Sequence, residues 1–269
     1  MEYLNLGCGK RYVVNDVWVN ADMLPIGKEV LKCNFLNGIP YETNRFSVVY
    51  HSHVLEHFSK EDGIIFLKEC YRVLNTGGIL RIALPNLEKI ATEYLNNLNL
   101  ARQNIFNADK NYDWIMLEMY DQTIRNKSGG IMIDYLNQNI IPNEDYVFDR
   151  IGNQAKKRYD DQIDLQKKKT VLSKLPKAPK YILNLLHNIY LRIVLVGKDY
   201  SLYKIGKFRK GGEVHQWMYD SYSLGRLLNE IGFKNIKTQT AETSYIEKWA
   251  SYKLDDTSET ASLFIEAIK

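Results

Sequence analysis

Residues 3–22 read YLNLGCGKRYVVNDVWVNAD: an apolar run enters Gly7-Cys8-Gly9, and a second run, Val17 to Asn20, ends on Asp22. Two short apolar runs joined through a glycine turn suit neighbouring strands of an open α/β sheet, whose ligands sit beyond the carboxyl ends of the strands. Gly7 and Gly9 carry no Cβ to hold a ligand away from the backbone. Asp22, at the tip of the next strand, is placed to accept hydrogen bonds from a ribose diol. A dinucleotide fingerprint does not fit, because the third glycine position of G-x-G-x-x-G is Tyr12 and the acid follows a short connector. No G-x-x-x-x-G-K-[ST] occurs, which excludes a P-loop. The turn reads as one built for adenosine without a pyrophosphate. From Gly9 to Trp18 the chain is too short for a full crossover helix.

Further apolar runs extend the sheet. Val30 to Phe35 and Phe46 to Tyr50 read as the third and fourth strands. Ser59 is a candidate N-cap, and Ile64, Leu67, Tyr71 and Leu74 then recur at helical spacing, with Gly77-Gly78 closing the helix. Ile79 to Leu84 is a fifth strand stopped by Pro85. Near the other end Leu224, Leu227, Leu228 and Ile231 form a helical stripe that stops at Gly232, followed by strands around Lys234 to Thr240 and Ser262 to Ile268. The pattern predicts a Rossmann-like, doubly wound α/β sheet with a large, mostly helical insertion after the fifth strand. Residues 1–87 and 213–269 form the core on this reading, and 88–212 the insertion. Within the insertion, Tyr181 to Leu195 is amphipathic.

Composition is that of a globular protein, with 45% hydrophobic and 25% charged residues over a chain of 269. No apolar run reaches the length of a membrane span, and the first strand starts next to Met1, so no signal peptide is expected. Cys8, Cys33 and Cys70 match no metal spacing and read as reduced thiols of a cytoplasmic protein. The net charge of +4 hides a segregation: Lys167 to Lys210 carries twelve basic residues and one acid, Asp199. That run suits an anionic partner such as a membrane surface, a phosphorylated carrier or nucleic acid, or else it is a solvated helical face.

Taken in order, these motifs make the chain resemble the class I S-adenosylmethionine-dependent methyltransferases. Leu4 to Gly9 matches the family's first motif, Asp22 the acidic end of the second strand, and His51-Ser52-His53 with VLEH the fourth; YRVLNTGGILRIALP matches the next helix-turn-strand. Such enzymes end in an antiparallel hairpin, which the resemblance implies for the last two of seven strands. It also implies S-adenosyl-L-methionine as donor, with S-adenosylhomocysteine as product, held by Asn5, Leu6, Gly7, Cys8, Gly9, Asp22, Met23, Asn34, Phe35, His51, Ser52 and His53. Asn5 and Asn34 stand where the family commonly has acids, but both still offer a side-chain carbonyl. DWIMLEMYDQTIRNKSGG, DRIG, GEVHQWMYDSYSLGRLLNEIGF and SLFIEAIK resemble a bacterial branch associated with cell-surface polysaccharide biosynthesis. O-methylation of a small or lipid-linked glycan precursor is the activity this implies, with RNA methylation or a silent cofactor-binding scaffold as alternatives. The basic run would make the protein peripheral to the membrane.

A hydroxyl acceptor needs a base, and the chain offers His51, His53, His57, His187 and His215. His215, where the insertion rejoins the sheet, and His57 are the catalytic candidates; either also serves as a structural group. Asp121, Gln122 and Arg125 fit one helical turn and suit a sugar or carboxylate, or a buried salt bridge fixing the insertion to the core. Trp217 and Tyr219 suit stacking on a sugar ring, or filling a seam. His53, Glu56 and His57 have the spacing of metal ligands on one turn, similar to the E-x-x-E-H run of some RNA 3′-end ribose methyltransferases. His53 replaces the first glutamate and the HVLEH string is common without metal, so no metal is assigned.

Overall fold

A computed structural model describes residues 2–152, 189–195, 198–255 and 257–269. The apolar runs form strands β1 (Tyr3–Leu6), β2 (Trp18–Asp22), β3 (Val30–Lys32), β4 (Phe46–Ser52), β5 (Leu74–Pro85), β6 (Lys234–Gln239) and β7 (Ser262–Ile268). They make one sheet in the order β3-β2-β1-β4-β5-β7-β6. The first five run parallel, and β7 is antiparallel to both β5 and β6. The expected seven-stranded sheet with its terminal antiparallel pair is therefore present.

The described helices are α1 (Lys60–Val73), α2 (Leu87–Arg102), α3 (Ala108–Ile124), α4 (Gly130–Leu136), α5 (Glu144–Ile151), α6 (Lys198–Arg209), α7 (Ser221–Ile231) and α8 (Trp249–Tyr252). Helix α1 starts at Ser59, whose hydroxyl accepts from the Asp62 amide at 3.1 Å. Its buried stripe is Gly63, Phe66, Leu67, Cys70 and Val73, rotated from the expected Ile64-Leu67-Tyr71-Leu74 face. The difference follows from length: the helix stops at Val73, and Leu74 already pairs with Phe46 as strand. Gly77 and Gly78 thus do not close α1. They lie in an irregular stretch of β5, where Gly77 sits at φ +79° and donates to the Lys269 carbonyl. Helix α7 behaves as expected, with a capping box between Asp220 and Ser223, buried Leu224 and Leu228, and Gly232 at φ +119°.

Between Gly9 and β2 the chain has no helix. Asn5 and Asn20 face each other across β1 and β2, and their amides pin the loop by donating to the carbonyls of Arg11 at 3.0 Å and Val13 at 2.9 Å. Two side-chain rungs replace the backbone ladder that a crossover helix would provide.

Helices α2 to α6 lie between β5 and α7, as the expected insertion. They carry a hydrophobic cluster of their own, Trp114, Ile141, Val147 and Phe148. Of the basic run only 189–195 and 198–210 are described; the rest of it, His187 and the start of the Tyr181–Leu195 stretch lie outside the described residues.

The other sheet face carries a cluster built on Trp18, Tyr50 and Trp249 around Arg81. Arg81 is fully buried on β5 and pairs with Asp255 at 2.6 Å and Glu266 at 2.7 Å. It also donates to the carbonyls of Thr240 and Thr243, which fastens the segment after β6 to the sheet. Removing one partner of a buried ion pair strands the others in low dielectric. Arg81→Leu is expected to lower the unfolding free energy by about 3–5 kcal/mol in a urea titration, and an unchanged midpoint would contradict the role given to this clamp.

Candidate functional site

The first two strand tips form a cradle. The Gly7 amide donates to the Ala21 carbonyl at 2.8 Å, and the Gly9 amide to the Asp22 carboxylate at 2.8 Å. Gly7 sits at φ +67°, and a Cβ there would meet Val54 Cγ2 at 2.2 Å; Gly9, at φ +52°, faces open space. Asp22 also accepts from the Leu24 amide at 2.7 Å, and each of its oxygens keeps a further lone pair.

Cavities open on both sides of this turn. One of about 370 Å³ is walled by Gly7, Asp22, Met23, Phe35, His53 and His57, together with Lys210 and Gly211 from the return of the insertion. A second, of about 350 Å³, is walled by Asn5, Gly7, Cys8, Gly9, Lys10, Arg11, Ser52 and His53. These walls suit a nucleoside on the Asp22 side with an amino-acid moiety across the turn, so the residues present fit S-adenosylmethionine. Of the expected cofactor contacts, Leu6 and His51 do not line either cavity: both are fully buried beneath the turn. Asn34 is exposed and caps a short 3-10 turn through the Leu36 amide, leaving Phe35 and Leu36 on the wall. Cys8 is a buried thiol pushed up to about 12, chiefly by burial, which makes it no nucleophile at neutral pH.

A third cavity, of about 170 Å³, lies where the insertion meets the sheet, walled by His53, Ile90, Glu118, Gln122, Arg150 and Thr257. His53 is common to all three and follows β4 in the left-handed region at φ +53°. Its Nδ1 lies 3.0 Å from Oε1 of Glu56, a buried residue in the 3-10 turn Leu55–His57. The segment after α6 docks on that turn: the amides of Gln216 and Trp217 donate to the Glu56 carbonyl, and the His215 amide to the Gln122 carbonyl. His57 and His215 thereby meet edge to face at 4.8 Å between ring centres. The two expected catalytic histidines are brought together, but His215 is only 7% exposed and lines none of these cavities.

The expected acceptor residues fall elsewhere. Asp121 pairs with Arg125 at 2.7 Å and accepts from the Ile131 amide, while Arg125 reaches Glu213 at 3.3 Å. They form a brace between α3, α4 and the returning chain, the ion-pair alternative. Tyr219 is buried in the main core, and Trp217 lies under Lys60 on the surface, 40% exposed. Sequence reasoning did not find Glu118, Arg150 or Thr257. Arg150 pairs with Glu118 at 2.6 Å across 32 residues of sequence, a partnership that no local spacing announces.

Burial holds His51 and His215 down at about 4, each against a smaller opposing pull from Glu56. Burial also opposes ionisation of Glu56, yet the hydrogen bond from His53 and the surrounding imidazoles hold its carboxyl near 2. As pH falls, the unfolded chain takes up protons at His51 and His215 near 6.5, while the folded chain refuses them until about 4. Stability is therefore lost between those values, on the order of 3 kcal/mol per histidine. Glu56 adds a loss of the same sign below about 4.5. Urea midpoints are expected to fall steadily from pH 6.5 to 4, and a flat profile would contradict the buried neutral histidines.

Residues 4–82 match the family described as "Methyltransferase domain". No curated protein sequence matches the chain. Among solved structures, a SAM-dependent methyltransferase from Archaeoglobus fulgidus is similar at 12% identity, covering all of this chain and 86% of its own, with a TM-score of 0.39. One from Aquifex aeolicus is similar at 10%, covering all of this chain and 81% of its own, TM-score 0.36. A Haemonchus contortus phosphoethanolamine N-methyltransferase is similar at 10% over all of this chain and 48% of its own, TM-score 0.38. The family match, the strand order and the glycine-aspartate cradle agree on one conclusion: residues 4–82, spanning β1 to β5 ahead of the helical insertion, match a methyltransferase domain.

Proposed function

We propose that the enzyme methylates a hydroxyl oxygen of a glycan or surface-polysaccharide precursor. The observation that carries this reading is the third cavity, which meets the donor cradle at His53 and takes its far wall from the insertion. Sugar hydroxyls each need a donor and an acceptor. The buried Glu118–Arg150 pair and the Gln122 amide offer both kinds on one wall. The segments similar to the polysaccharide-associated branch supply that wall: Glu118 and Gln122 lie in DWIMLEMYDQTIRNKSGG, Arg150 in DRIG, and GEVHQWMYD joins Gln122 through the His215 amide.

The donor, when bound, supplies a methyl group on a cationic sulfur whose departure leaves a neutral thioether. The turn Gly7 to Gly9, Asp22, Met23, Phe35 and Ser52 hold it. His53, on the wall shared by all three cavities and paired through Nδ1 with Glu56, is the base in this reading. This moves the base from His57 and His215 to His53. Gln122→Ala is expected to raise the acceptor KM roughly tenfold with donor affinity unchanged, measured by labelled-methyl transfer to a panel of free and lipid-linked sugars. Equal turnover by the variant, or no transfer to any sugar hydroxyl, rejects the reading.

The basic run supports a lipid-linked acceptor presented at an anionic surface. Partition onto phosphatidylglycerol vesicles is expected to weaken roughly a hundredfold when Lys167, Lys168 and Lys169 are changed to alanine, at about 1 kcal/mol per lysine. Salt-independent partition, equal for both proteins, would remove the membrane from the proposal.

A further inference from the structure

Four of the five histidines in the chain, His51, His53, His57 and His215, surround one carboxylate, that of Glu56. Glu56 is 1% exposed, and only its Oε1 is engaged, by His53. Its Oε2 and the Nδ1 of His57 are both buried and have no hydrogen-bond partner among the described residues. An unsatisfied buried acceptor costs roughly 1–3 kcal/mol, and two side by side within one turn need a common explanation. His215 completes it: one ligand atom from each of Glu56, His57 and His215 lies within 4.8 Å of the others. Three ligand-type atoms that face one another, two of them unpartnered and buried, suit a cation.

We propose that Glu56, His57 and His215 bind a divalent first-row transition-metal ion. Two imidazoles and a carboxylate suit manganese, iron, cobalt or zinc in preference to calcium or magnesium. The three come from independent constraints: Glu56 and His57 share a 3-10 turn, and His215 is carried to them by the backbone bonds of Gln216 and Trp217 to the Glu56 carbonyl. His53 is the positioning partner, because its bond to Oε1 turns Oε2 inward as a carboxylate-histidine pair does around a metal.

The site is not sealed. His57 is half-buried and lines the 370 Å³ cavity beside Asp22 and His53, so an ion there keeps coordination positions toward the donor cradle. The ion's role, unlike the site itself, rests on the hydroxyl-acceptor reading. A bound ion would supply Lewis acidity that makes an acceptor O–H beside it more acidic, with the His53 imidazole on the same cavity wall to take up the proton.

The test uses the full chain, stripped with EDTA and dialysed, and titrated calorimetrically with Mn²⁺, Co²⁺ and Zn²⁺ in turn. One equivalent per chain is expected, with visible absorption bands from Co²⁺ and a raised Tm. Glu56→Gln and His57→Phe are each expected to weaken binding at least a hundredfold while keeping a cooperative urea transition, which shows both to be folded. His57→Phe replaces a half-buried group and guards against collapse of the Glu56 variant. No stoichiometric ion in the unmodified chain, or equal affinity in all three proteins, overturns the proposal. Ion binding that the variants abolish, in a protein that methylates no hydroxyl, leaves the site standing and retires the acceptor reading alone.

Discussion

A carboxylate with almost no exposure to water organises this molecule. Desolvating a charge costs several kcal/mol unless hydrogen bonds and opposite charge replace the lost water. Glu56 answers with its side chain and its backbone together. The carboxylate gathers His53, His57 and His215, while the carbonyl accepts the amides of Gln216 and Trp217. One residue thus ties the end of β4, the turn after it and the strand-like return of the insertion into a single unit. The donor cradle and the insertion-side cavity share a wall because that unit holds His53 between them.

Another buried charge, Arg81, does comparable work on the opposite face. It holds Asp255, Glu266 and the carbonyls of the 240–243 turn, and Tyr50 donates its hydroxyl to Asp255 at 2.7 Å. Leu254 and Thr257, just beside this network, close the cavity on the Lys10 side of the glycine turn. The sheet is therefore clamped by polar networks on both faces, and the ligand-facing loops are the parts each network restrains.

Much of this was legible in the sequence, for local reasons. The glycine turn and Asp22 are adjacent in sequence and in space, and the alternation of strand and helix fixes a parallel sheet. What was not legible depends on long-range pairing. Gly77 and Gly78 resemble a helix stop, but Leu74 finds a strand partner in Phe46 first. Asp121 and Arg125 have the spacing of a binding turn, and only the amides of α4 and the carboxylate of Glu213 show the pair to be a brace. Tyr219 fits either a stacking platform or the core, and packing against α1 decides for the core. His215 reads from the sequence as a catalytic candidate, but its proximity to Glu56 spans the whole insertion.

The loop that replaces a crossover helix after Gly9 changes how charge is met at the cradle. A helix starting there would point its amides and a partial positive charge of roughly half a unit at the ligand. Here Asn5 and Asn20 hold an irregular loop instead, and Lys10 and Arg11 stand on the cavity wall. Positive potential at this edge comes from long side chains on a loop, so it yields to ionic strength and adjusts in position more readily than a fixed backbone dipole does.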